Sequence, residues 1–179
     1  MSIKNTGKSF GSLARFFHWL IVLLIIGSFG TMITVDELPE QSSWVGVLYN
    51  YHKSIGVTIL ALVVFRLLWR LMNVVPKPAA GLPKWQIAAA HAAHYFLYFA
   101  MFALPISGLI FNKYPIEFYY LFQIQPLETP FLPDVKKLIK EFHETFAWIV
   151  LGVIGAHVGA ALWHHFVRKD NTLRRMISG

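Results

Sequence analysis

The chain contains no cysteine, which excludes disulfides, iron–sulfur clusters and the Cys-x-x-Cys-His attachment of c-type haem. Any haem must be held by side-chain ligation alone. Acids are also scarce, nine against sixteen Lys and Arg, and neither an internal repeat nor a low-complexity tract is present. The net charge of +7 does not point to nucleic acid, because the bases lie between apolar runs rather than on one patch. Apolar surface, by contrast, is abundant. With 56% hydrophobic residues, 16% aromatics and a mean hydropathy of +0.52, the 179 residues are too apolar for a soluble domain. A membrane protein with one domain over residues 1–179 is expected.

Four runs can cross about 30 Å of hydrocarbon at roughly 1.5 Å per residue. They are Phe16 to Val35, His52 to Met72, His91 to Phe111 and Phe146 to Val167. Only helices satisfy their own backbone there, so the expected fold is an all-α bundle of four transmembrane helices. The first run exceeds a signal-peptide core and carries His18 near its start, so it reads as retained. Lys4, Lys8, Arg15, Arg66, Arg70, Lys77, Lys84, Arg168, Lys169, Arg174 and Arg175 fall on one side of these spans. Lys53, Lys113, Lys136, Lys137 and Lys140 fall on the other, which puts both termini in the cytoplasm. The second connection is the Pro- and Gly-rich stretch Val75 to Leu82. Between Asn112 and Leu138 runs a longer loop with four prolines, expected to be partly helical on the outer surface.

Eight histidines sit in or beside these runs, and ionisable groups at membrane depth are functional candidates by default. His18 begins the first span at the cytoplasmic end and His52 begins the second at the outer end. On the fourth helix His157 follows His143 by fourteen residues, about 21 Å deeper and roughly 40° around the axis. Depth therefore pairs His52 with His143 and His18 with His157. Two bis-histidine pairs across a four-helix bundle are what two b-type haems require. Zinc fits less well, since it wants three or four ligands at one depth and no interior carboxylate or cysteine is supplied. Gly56, Gly152, Gly155, Ala156, Gly159, Ala160 and Ala161 lie near these histidines. They either clear space for a flat macrocycle or let helices pack closely in lipid.

The other histidines cluster toward the cytoplasm. His91 and His94 start the third span, and His164 lies two turns beyond His157 on the same stripe, with His165 pointing elsewhere. His94 and His164 are candidates to hydrogen-bond or exchange protons with a quinone head group; the alternative is interfacial snorkelling. Arg66 and Arg70, one turn apart, are candidates to neutralise haem propionates or are topology anchors. The six tryptophans mostly read as an interfacial belt.

Five stretches in one order carry a family likeness. They are Arg15-Phe16-Phe17-His18-Trp19-Leu20; Tyr51-His52-Lys53-Ser54-Ile55-Gly56; and His91-Ala92-Ala93-His94 with Ala103-Leu104-Pro105-Ile106-Ser107-Gly108. Phe142-His143-Glu144-Thr145 follows, then His157 through Trp163-His164-His165 into Lys169-Asp170-Asn171-Thr172-Leu173. On these residues the chain resembles the bacterial cytochrome b561 family over nearly its whole length, and within it the small di-haem superoxide-oxidising type. The resemblance implies two haem b groups ligated by His18 with His157 and His52 with His143. It also implies electron transfer from superoxide, or another small donor, on the periplasmic side of the inner membrane to ubiquinone near the cytoplasmic side. The alternative it leaves is a cytochrome b subunit of a hydrogenase or dehydrogenase complex, docked on a redox partner. Eight outer acids against five outer bases mean that any field attracting an anion must be local.

Overall fold

The computed structural model describes residues 2–128, 130 and 132–179. Its four long helices are α1 (Ser12–Glu37), α2 (Ser43–Leu71), α3 (Lys84–Phe111) and α4 (Pro133–Trp163). All are long and apolar enough to cross a membrane, α4 together with the π-helical turn His164–Arg168 that continues it. A short helix, α5 (Arg174–Ile177), follows. Large apolar side chains such as Leu23, Phe65, Phe99 and Trp148 remain exposed along the spans. In hydrocarbon that is the expected state, because lipid tails solvate them as well as a protein core does.

Helices α2, α3 and α4 each begin well before the apolar run that announces them. His52 lies nine residues inside α2 and His143 ten residues inside α4, so neither starts its helix. His91 is likewise seven residues inside α3. Hydropathy marks where hydrocarbon begins, whereas the backbone stays helical as long as propensity and capping allow. At α4 the start is made by Pro133 and by Asp134 in the first turn, where a fixed φ and a negative charge both suit a helix N-terminus.

The loop before α4 departs from expectation in its first part. It is a two-stranded hairpin, β1 (Ile116–Phe118) with β2 (Phe122–Ile124), paired antiparallel with Phe118 opposite Phe122. Tyr119 and Tyr120 in its turn adopt φ of 47° and 60°, a left-handed region unfavourable to bulky residues. Side chains of α2 hold them there. Tyr119 N donates to Ser54 Oγ at 3.1 Å, its hydroxyl meets Thr58 Oγ1 at 3.0 Å, and Asn50 Oδ1 accepts from Glu117 N at 2.9 Å. Ser54 is fully buried in consequence.

Two compact units divide the chain, the break falling within each long helix. The first comprises Met1–Trp19, Val63–Ala100 and Trp148–Gly179; the second comprises Leu20–Leu62 and Met101–Ala147. In the first unit the N-terminal arm folds back against α1, as a Cβ at Gly11 would collide with the Ile3 carbonyl. Asn5 Nδ2 donates to Val74 O at 2.9 Å and Lys77 N to Gly7 O at 3.1 Å, tying the arm to the α2–α3 connection. The C-terminal segment is tied in too: Trp19 Nε1 donates to Met176 O at 2.8 Å and Arg175 Nη1 to Lys77 O at 2.7 Å. In the second unit Ile21, Ile59, Ile116 and Phe146 are buried.

Candidate functional site

In the second unit the imidazoles of His52 and His143 face each other with ring centroids 6.3 Å apart and planes at 75°. Two metal–nitrogen bonds of about 2 Å, with roughly 1.1 Å from each nitrogen to its ring centre, require about 6.2 Å between centroids. The spacing therefore fits one metal between them. Each ring is also held from behind. His52 Nδ1 lies 3.1 Å from Ser28 Oγ and 3.2 Å from the Ser28 carbonyl, which can only accept, so Nδ1 carries the proton. His143 Nδ1 lies 2.9 Å from Ser107 Oγ, whose own hydrogen is donated to Leu104 O at 2.8 Å. Both tautomers thus leave Nε2 with a free lone pair, the arrangement by which neighbours orient a metal-ligating histidine. The local sequence of α3 builds this support. Pro105 removes one backbone donor inside the helix, Ser107 supplies the acceptor, and Gly108 leaves room where a Cβ would stand 3.4 Å from His143 Cε1.

The first unit gathers His18, Arg66, His94 and His157 within electrostatic range of one another. Two of these histidines touch ring to ring, His94 with His157, at 5.3 Å and 70°. That is about 1 Å too short for an intervening metal, so it is a packing contact. Arg66 Nη1 donates to His18 Nδ1 at 3.1 Å and Arg66 Nε to the Tyr98 hydroxyl at 3.2 Å. This puts the His18 proton on Nε2, the reverse of the His52 and His143 tautomers. For His18 Nε2 to face a metal, Arg66 must move to another acceptor. Arg66 and Arg70 each lie 5.7 Å from the Tyr98 ring centre, and no carboxylate bridges to either among the described residues. Both line a cavity of about 70 Å³ together with His94 and Tyr98.

Space around the histidines separates the two explanations of the small residues. A Cβ built on Gly56, Gly152, Gly155 or Gly159 would meet nothing within 4 Å. Close approach of another described helix therefore does not account for these glycines. His91 and His165 are exposed, with aromatic neighbours in Tyr95 and Phe166 respectively.

His164 has a partner that spacing did not announce. Its Nδ1 lies 2.6 Å from Asp170 Oδ2, with 13% and 17% of the two side chains exposed. The π-helical turn makes this possible, because Lys169 then turns left-handed at φ 56° and brings Asp170 back, its N donating to His164 O at 3.1 Å. Arg168 Nε stands 3.6 Å from the same carboxylate. Burial acts to raise the Asp170 pKa, but the hydrogen bonds from Thr172 and His164 outweigh it and hold the carboxyl below its ordinary range. A depressed folded value gives stability that is present above the unfolded value and lost as pH falls through the folded one. Asp170→Asn should therefore weaken docking of the C-terminal segment by about 1.5–3 kcal/mol at neutral pH, since the bonds lost are to a charged group. Hydrogen exchange at residues 171–178 should show the difference at neutral pH and show it shrinking under acid conditions. Equal protection in both proteins would contradict the assignment. The sequence signal was a lone acid after the fourth apolar run, six residues beyond a histidine. Ser28 and Ser107 gave no comparable signal.

Four apolar helices and facing imidazoles at metal spacing mark out a class, the helical membrane cytochromes. A family model for prokaryotic cytochrome b561 matches residues 9–179. Cytochrome b561 homolog 1 of Escherichia coli (strain K12) is 34% identical over 168 residues, covering 90% of this chain and 93% of that protein. Cytochrome b561 homolog 2 of the same strain is 31% identical over 180 residues, covering 99% and 95%. A probable superoxide oxidase CybB of Yersinia pestis is 32% identical over 176 residues, covering 95% and 96%. The chain belongs to the prokaryotic cytochrome b561 family, membrane electron-transfer proteins that bind b-type haem.

Proposed function

We propose that the chain is a di-haem superoxide:ubiquinone oxidoreductase of the bacterial inner membrane, with both termini cytoplasmic. The observation that carries the redox reading is the His52–His143 pair, spaced for one metal and held in the tautomer that offers both Nε2 lone pairs. His52 with His143 and His18 with His157 hold the haems, and Arg66 and Arg70 take propionates. When bound, the haems supply two one-electron centres. With a histidine pair holding each haem, the group would supply outer-sphere electron transfer rather than oxygen binding.

The remaining work falls to side chains. Two superoxide ions release two electrons and leave as dioxygen; one ubiquinone takes both electrons with two protons. Lys53, next to His52 in sequence, supplies local positive charge on the donor side against the surplus of outer acids. On the acceptor side His164 is the proton donor, because Asp170 fixes its Nδ1 and leaves Nε2 to exchange. His94 is the second histidine of the quinone region. The name of the Yersinia relative supports superoxide as donor. Stopped-flow mixing of the purified holoprotein with superoxide tests the reading: haem reduction should be fast and pass on to added ubiquinone. Haems that stay oxidised in superoxide, yet accept electrons from dithionite, would remove superoxide from the proposal.

A further inference from the structure

The cavity of the first unit holds an unanswered donor. Trp69 lines it beside Arg66 and Arg70, and its indole Nε1 is buried without a hydrogen-bond partner among the described residues. A buried donor left unpaired costs about 1–3 kcal/mol. Residues 66, 69 and 70 stand three and four apart on α2, so all three side chains share one helix face. The acceptors now facing Arg66, the Tyr98 hydroxyl and His18 Nδ1, are both uncharged, and Arg70 stands over the Tyr98 ring with no carboxylate bridging to it among the described residues. Two cations and an unused N–H around one cavity match a planar anion with several acceptor lone pairs. Water alone would answer the indole but not the charge.

We propose that this cavity is a carboxylate site in which Trp69 Nε1 is the third donor, and that the carboxylate is a propionate of the haem held by His18 and His157. The proposal rests on the di-haem reading above. Carboxylate binding would also reverse the His18 tautomer. A carboxylate that takes the Arg66 guanidinium frees His18 Nδ1 to carry the proton and Nε2 to face the iron.

The test is Trp69→Phe in the full-length holoprotein, which keeps the ring and deletes the N–H. Haem content, the two midpoint potentials by spectroelectrochemical titration and the propionate bending band in resonance Raman are compared with wild type. Both haems should be retained. One potential should fall, since a less compensated propionate charge favours ferric iron, with a shift in that haem's propionate band and the other haem unmoved. Trp69→His, which restores a ring N–H, should recover part of the shift. Potentials and band identical to wild type would overturn the proposal. So would an acetate-dependent quenching of tryptophan fluorescence lost in Trp69→Phe without any change in potential, which would assign the cavity to a free carboxylate. Wild-type protein without haem would instead sink the di-haem reading, a result separate from either of these.

Discussion

His52→Ala should delete one low-spin b haem from the spectrum of the purified, dithionite-reduced protein and leave the other intact, and His18→Ala should do the converse. The physical reason is the closed character of each ligand set. His52 and His143 stand 6.3 Å apart, centroid to centroid, with their Nδ1 atoms tied to Ser28 and Ser107. Neither ring can swing to compensate for loss of its partner without breaking those bonds, and no third histidine contacts this pair among the described residues. His18 is supported by a different group, Arg66, in the other unit. The two losses are thus expected to be independent and additive, as for sites that share no partner. A double variant, His18→Ala with His52→Ala, should carry no low-spin haem. Retention of both haems in either single variant would break the pairing.

His164→Phe should lower the steady-state rate of ubiquinone reduction by about 10²–10⁴-fold, the usual contribution of a positioned general acid. Reduction of the haems by superoxide, followed without quinone, should keep its wild-type rate. The split matters because a merely structural role for His164 would slow both. The 2.6 Å contact with Asp170 gives this histidine a fixed ring and a fixed proton on Nδ1, a preparation that a snorkelling interfacial residue does not need. Unchanged quinone turnover would return His164 to that simpler role.

Much of the scaffold could be read from residue order alone, for identifiable reasons. Long apolar runs and the cost of unpaired backbone in lipid leave only helices, and a fourteen-residue spacing puts His143 and His157 on nearly one face. Helix ends were less legible. The run Asp134-Val135-Lys136-Lys137-Leu138 is too polar to signal a span, yet it is good helix sequence and α4 begins there. The hairpin was hidden because its strands are three residues each and its turn holds two tyrosines where glycine or asparagine would normally advertise it. Groups that orient the histidines could not be seen either. Ser28 lies 24 residues from His52 and Ser107 lies 36 from His143, separations that no periodicity links. The edge contact of His94 with His157 joins different helices for the same reason.

The central claim is that four imidazoles clasp two irons. The most direct measurement is the pyridine haemochrome content per polypeptide of purified wild-type protein, read together with low-temperature electron paramagnetic resonance of the oxidised state. The account predicts two b haems per chain, both low-spin with two imidazole ligands. One haem per chain, or a high-spin signal from an iron with an open position, would contradict it.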